Sequence, residues 1–188
     1  MKMRSNLPRI AICFIFSILP ALHATTLARL SLDQLAGAAD AVARVRCAGA
    51  ESRWEGGSIW TITTFDVVDA IKGNLAPRIV VRLPGGKVGA VTATVDGAPK
   101  FTAGEEAVIF LERSRADGYS VAGWVEGTFR IALDPKTNHE TVTQDSSGFA
   151  VFDAAGREFR AEGIQRIPIE IFRAKLASAI ARAGERAR

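Results

Sequence analysis

Short apolar segments in which every second residue is hydrophobic recur along residues 41–133, with glycine-rich turns between them. A period of two is the imprint of half-buried β-strands, so strands and not a helical bundle must frame this chain. In Ala41-Val-Ala-Arg-Val-Arg-Cys47, the residues Ala43, Val45 and Cys47 share one side while Arg44 and Arg46 take the other. Along residues 59–71 the alternation changes parity, because Trp60 and Ile62 share one face and Phe65, Val67 and Ile71 the opposite one. Such a switch predicts a bulge or bend by which one strand serves two sheets of a small barrel.

The ladder continues through Ile79-Val-Val-Arg-Leu83 and residues 88–95, separated by the turn Pro84-Gly85-Gly86-Lys87. The unbroken run Ala107-Val-Ile-Phe-Leu111 predicts a strand covered on both faces. Asp117-Gly118 is a hairpin signal ahead of a strand at 119–124. Residues 128–133 alternate again, and weaker strand patterns follow at 140–143 and 149–152.

Helices are expected only at the ends. Ser31-Leu-Asp-Gln34 has the form of a capping box opening a short helix over 32–39. Pro168 suits a first helical turn, and Ile169, Phe172, Leu176 and Ile180 recur at spacings of three and four, predicting an amphipathic helix that docks on the barrel. Its basic residues Arg173, Lys175, Arg182, Arg186 and Arg188 face only Glu185 and read as a solvated face and tail.

Ahead of this domain, Lys2, Arg4 and Arg9 precede an apolar stretch at 10–19, and Pro20-Ala-Leu-His-Ala24 closes it with small residues. These are the three parts of a secretory signal, with cleavage expected between Ala24 and Thr25. The stretch is too short for the roughly 20 residues that cross a bilayer core. The organisation expected is therefore a signal peptide at 1–24, an OB-like β-barrel domain at 25–167 and a C-terminal helix with a basic tail at 168–188, exported to the periplasm or the medium with no stable membrane insertion. Removal of the leader takes three of the 24 basic residues and leaves 21 against 20 acidic ones. The formal charge of +4 thus belongs mainly to the precursor, and the case for nucleic-acid binding falls with it. Of two cysteines only Cys47 survives processing, so the core must hold by packing without an internal disulfide.

Chemistry is sparse in the processed chain. One histidine, His139, and one cysteine fall short of the three or four ligands of a zinc site. His139-Glu140-Thr-Val-Thr143 carries Thr143 where a metalloprotease helix needs a second histidine. Cys47 alternates with core residues, which argues against a Cys47–His139 nucleophile pair. Pro84-Gly85-Gly86-Lys87 opens a strand instead of the helix of a phosphate loop. No cofactor-binding pattern is present and no catalytic residue is assigned. The residues marked for partner binding are Arg53 and Trp54, in a polar Gly-rich stretch ending at Gly56-Gly57, and Trp124, since aromatics left outside a strand pattern are common binding anchors. A lid over one barrel end is the competing role for Trp54.

Three stretches together carry a resemblance: Ala39-Asp40-Ala41-Val42, Thr64-Phe65-Asp66-Val67-Val68-Asp69-Ala70-Ile71-Lys72-Gly73, and Gly104-Glu105-Glu106-Ala107-Val108-Ile109-Phe110-Leu111. In these landmarks and their order the chain resembles the netrin-like module shared with tissue inhibitors of metalloproteinases, and it is similar to exported bacterial proteins of unassigned function. The resemblance implies an OB-type five-stranded barrel with flanking helices. It does not carry over the inhibitors' amino-terminal cysteine or their bracing disulfides. The reading is a non-enzymatic, protein-binding module acting outside the cytoplasm; the alternatives are a glycosidase-like hydrolase drawing on carboxylates such as Glu105, Glu106 and Glu112, or an accessory subunit of an exported assembly. Mass spectrometry of the protein recovered from an exporting host should give a chain beginning at Thr25, and an intact leader would refute the assignment.

Overall fold

The computed structural model describes residues 30–114, 117–148, 150–152, 158–160 and 163–186. The expected signal peptide, its cleavage point at Ala24 and Thr25, Phe149 and Arg188 lie outside them.

Helix α1 (Leu32–Ala38) begins as its sequence requires: Ser31 Oγ accepts from the Gln34 backbone N–H at 3.2 Å, and Gln34 Oε1 accepts from the Ser31 N–H at 2.8 Å. At its end Lys72 Nζ donates to the carbonyls of Ala36 and Ala39 at 2.7 and 2.6 Å, a cation on the negative end of the helix. Strands β1 (Ala41–Glu55) and β2 (Ser58–Lys72) form a long hairpin turned by Gly56 and Gly57 at φ 56° and 81°. Two successive positive φ values give the two-residue turn whose twist suits an antiparallel pair.

Next come β3 (Arg78–Pro84), the small hairpin of β4 (Gly86–Val88) and β5 (Val91–Ala93), then β6 (Glu106–Arg113) and β7 (Tyr119–Val121). A 3₁₀ turn at Trp124–Gly127 leads into β8 (Thr128–Leu133) and β9 (Glu140–Gln144). The hairpin of β10 (Ala150–Phe152) and β11 (Glu158–Arg160), the short β12 (Ile167–Pro168) and helix α2 (Ile169–Arg186) complete the order. Neighbours run β1-β2-β3-β7-β6, and β6 pairs back with β1, so five strands form a ring from which β8, β9 and β12 extend. The mainly β, barrel-like domain with a helix at each end, expected from the sequence, is this ring.

Two cores result, and β6 separates them. Inside the ring lie Val45, Cys47, Phe65, Val81, Ile109 and Leu111; outside it, Val42, Val108, Phe110 and Phe129 meet Leu35 of α1 and Phe172 and Leu176 of α2. Phe110, Phe129 and Phe172 stack in series at centroid distances of 5.5 and 4.9 Å. The unbroken apolar run of β6 is thus needed twice, odd residues for the ring and even ones for the helices. The second long segment is bulged, but not at the switch expected between Ile62 and Phe65: β2 keeps unbroken pairing with β3 from Trp60 to Asp66, and Trp60 and Ile62 are its outer face. Register jumps leave Val68 and Ile71 as extra residues on β2 and Ala48 as an extra residue on β1, so Val67 faces the ring while Ile71 packs toward the helices.

Several local expectations are corrected. Residues 88–95 do not form one strand, because Gly89 and Ala90 fold β4 back on β5. Strand β7 ends at Val121, since Gly123 and Trp124 both take positive φ. Pro168 pairs with Thr141 in β12 instead of entering the helix. On α2, Arg173 and Arg182 are not merely solvated: they bind Asp69 at 3.1 Å and Asp33 at 2.6 Å, pinning the helix to β2 and α1.

Ring closure is locked by charge. Arg44 donates to Glu106 on β6 at 2.5 Å and to Glu140 on β9 at 2.6 Å, and Arg46 also binds Glu106. Burial pushes the Glu106 carboxyl up, but the bonds from Arg44 and Arg46 outweigh it and hold the group below the usual carboxylate range. A folded-state value below the unfolded one contributes stability that is complete above about pH 4.5 and fades as pH falls through the folded value. Arg44→Met should therefore lower unfolding stability at neutral pH by about 2 kcal/mol and flatten its loss on acidification, as urea titrations at pH 7 and pH 4 will measure.

Candidate functional site

The long hairpin decides where the marked residues point. Beyond Cys47, β1 runs to Glu55 as a strand, so Arg53 and Trp54 are not in a loop and face opposite ways across the pleat. Arg53 pairs in register with Trp60 and Trp54 with Ile59. Trp54 thereby shares the inner face with Ser52, Thr61 and Ile59, while Arg53 joins the outer face of β2 and β3. Ile59 is buried, yet Trp54 remains 54% exposed. Trp124 is elsewhere, on the 3₁₀ turn whose Gly123 lies against Leu30 and Leu35, at the end of β1 remote from Trp54. Trp124 is held at φ 52°, an uncommon state for a bulky residue, and its carbonyl accepts from Thr128 Oγ1 at 2.9 Å. The three sequence candidates therefore occupy three separate surfaces.

Arg53 lines a groove. A depression of about 340 Å³ runs over the outer face of β3, lined by Arg53, Ile62, Arg78, Val80, Arg82 and Tyr119, with Asp117 and Gly118 of the β6–β7 connection at its rim. Register explains the assembly: Ile62 stands opposite Arg82, Thr64 opposite Val80 and Asp66 opposite Arg78. The Arg82 guanidinium lies 5.4 Å from the centroid of the Trp60 ring and binds Glu55, which Arg53 also binds at 2.5 Å. Those two guanidinium bonds hold the Glu55 carboxyl below its ordinary range. Arg78 pairs with Asp66 at 2.8 Å. The groove thus offers forked donors on an aromatic and aliphatic floor, with each guanidinium steadied by a carboxylate. Sequence reasoning missed Trp60, Arg82 and Tyr119 because each sits in a strand pattern that reads as framework. The recurrence of Arg78, Val80 and Arg82 at the period of one strand face was the available signal.

The turn expected at Pro84-Gly85-Gly86-Lys87 is present and opens β4. Gly86, at φ 133°, crosses the inner face of the hairpin so closely that a Cβ there would strike Ser52 Oγ and Thr61 Oγ1. Thr61 Oγ1 donates to the Gly85 carbonyl at 2.7 Å, and the Gly85 N–H donates to the Ile59 carbonyl at 2.8 Å. The residues at 84–101 are thereby folded against the hairpin, and Phe101 meets Phe65 edge-on at 4.8 Å.

Of the acidic residues marked for hydrolysis, Glu105 and Glu106 are committed to ion pairs. Glu106 and Glu140 share Arg44, and Glu105 binds Arg130 at 2.9 Å. Glu112 stands opposite Ser120 in the β6–β7 pair. Among the described residues no three His, Cys, Asp or Glu side chains are grouped to hold a metal ion. Cys47 is 1% exposed inside the ring, whereas His139 is exposed at the β8–β9 turn, so the two do not meet. Burial raises the Cys47 thiol above its ordinary range. In native protein Cys47 should resist alkylation by iodoacetamide at pH 8 and react once urea unfolds the ring; rapid native labelling would show that the interior is open.

Among the described residues no helix is long and apolar enough to cross a membrane. Comparison with known protein families, with curated proteins and with solved structures found no match.

Proposed function

We propose that the chain is an exported, non-enzymatic binding module that takes a protein partner on the outer face of β2 and β3. The observation that carries this reading is the groove itself. Arg53, Arg78 and Arg82 surround an apolar floor beside Trp60 and Tyr119, the residue types that dominate the energetics of protein interfaces. Its charge is mixed, with Glu55, Asp66 and Asp117 beside the guanidiniums, and so lacks the single-sign field that a phosphate backbone demands.

Position supports a ligand surface at this place, without selecting its class. In OB-type barrels the outer face of the second and third strands, framed by the first hairpin and the connection to the last ring strand, is the usual ligand surface. Here Arg53 belongs to that hairpin and Asp117 and Tyr119 to that connection. The fold analogy agrees with the netrin-like resemblance and with the leader expected at 1–24. Trp54 and Trp124 fall outside this surface and are not part of it.

The test is recovery of a partner from envelope extracts on immobilised protein, followed by affinity measurement with the purified partner. Arg82→Ala or Tyr119→Ala should weaken binding about tenfold, some 1.4 kcal/mol, while Trp124→Ala leaves it unchanged. Equal binding by Arg82→Ala and Tyr119→Ala, or recovery of no partner at all, would reject the groove as the site.

A further inference from the structure

The hairpin leaves one edge of β1 open. Strand β1 pairs with β6 only over Ala41–Arg46, and at Cys47 the backbone still bonds to the chain beside it, donating to the Glu105 carbonyl and accepting from the Gly104 N–H at 2.8 Å each. From Gly49 to Glu55 the sole strand partner among the described residues is β2.

The phase of the ladder says which groups are left over. The Ile59 carbonyl accepts from Gly85, on the side away from β1, so Trp54 and Ile59 form a pair that is not mutually hydrogen-bonded. By alternation Ser52 and Ala50 share that status, and Ala50, Ser52 and Trp54 present their N–H and C=O groups to the open edge. The side chains of Glu51, Arg53 and Glu55 lie along the outer face of the same strand, and all but the half-buried Glu55 are exposed. Among the described residues Glu51 has no ion-pair partner.

We infer that this edge pairs with the same edge of a second copy of the chain, antiparallel and centred on Ser52, to make a symmetric dimer with one sheet running through both rings. The charge order selects the register. Centring on Ser52 sets Glu51 opposite Arg53 of the second copy, and Arg53 opposite its Glu51, while Ala50, Ser52 and Trp54 supply three hydrogen-bonded pairs. Centring on Arg53 would also satisfy the backbone, but it sets arginine against arginine and Glu51 against Glu55. Like charges in direct opposition are destabilising. Charges on an edge strand ordinarily discourage pairing; here their order forbids the wrong registers and admits this one. The Ser52-centred register also accounts for Trp54. Its half-exposed ring falls beside the exposed Ala50 of the other copy, on the face that Gly86 already covers.

The test is a charge swap read by sedimentation across a dilution series. Wild-type protein should form a dimer, whereas Glu51→Arg and Arg53→Glu should each be monomeric. Mixing the two single variants should create a heterodimer, and the double variant should dimerise again. Circular dichroism checks that each variant is folded. In the dimer, amide exchange at Ala50, Ser52 and Trp54 should slow with rising concentration while Glu51 and Arg53, bonded to β2 throughout, do not change. A monomeric wild type at every concentration, single variants that stay dimeric, or a mixture that does not associate would each overturn the proposal. These readouts use purified protein without the partner, and Glu51 lies outside the groove that Arg53 lines.

Discussion

The pairing of β1 with β6 closes the ring, and the rest of the molecule is arranged around that closure. It joins residues some sixty positions apart, so the chain must bear the entropy of a long loop before the contact forms. Two kinds of interaction offset this. Ala43 and Val45 meet Ala107 and Ile109 inside the ring, and Arg44 and Arg46 clasp Glu106 on its outer side. Because Arg44 also holds Glu140, the same guanidinium fastens the extension of the sheet through β9.

Once β6 is fixed, its second face requires cover. Val108 and Phe110 would leave an apolar strip in water, and the helices at the two ends of the domain supply the lid. The helices are far apart in sequence yet meet one another, with Arg182 bound to Asp33 and Gly37 lying against Ala183. Thus the ends of the domain are tied together over the outside of the ring, and the groove lined by Ile62, Val80 and Arg82 contains no residue of either helix. The bulges at Val68 and Ile71 complete this division on β2, whose Val67 packs in the ring while Ile71 packs toward the helices.

Much of this was legible in residue order. The capping box of α1, the stripe of α2 and the two-faced run of β6 are all local patterns, and each formed as its periodicity required. The candidate site was far less legible. Arg53 and Trp54 read as neighbours in a loop, but a strand separates adjacent side chains onto opposite faces, so only Arg53 reached the groove. Its companions Arg82 and Tyr119 come from two further strands, and no spacing within one segment could announce them. The glycines at 85 and 86 signalled a turn correctly, but that they cross the hairpin depends on Ser52 and Thr61, which lie far from them in sequence.

What residue order alone determined, then, was composition by element: which segments extend, which coil and which faces are greasy. Those properties follow from steric and solvation preferences acting over a few residues. Tertiary structure alone decided the register between strands, and register decides which guanidinium stands over which ring, which carboxylate it meets and which edge is left unpaired. Register depends on hydrogen bonds and packing between distant segments, whose energies no single segment contains.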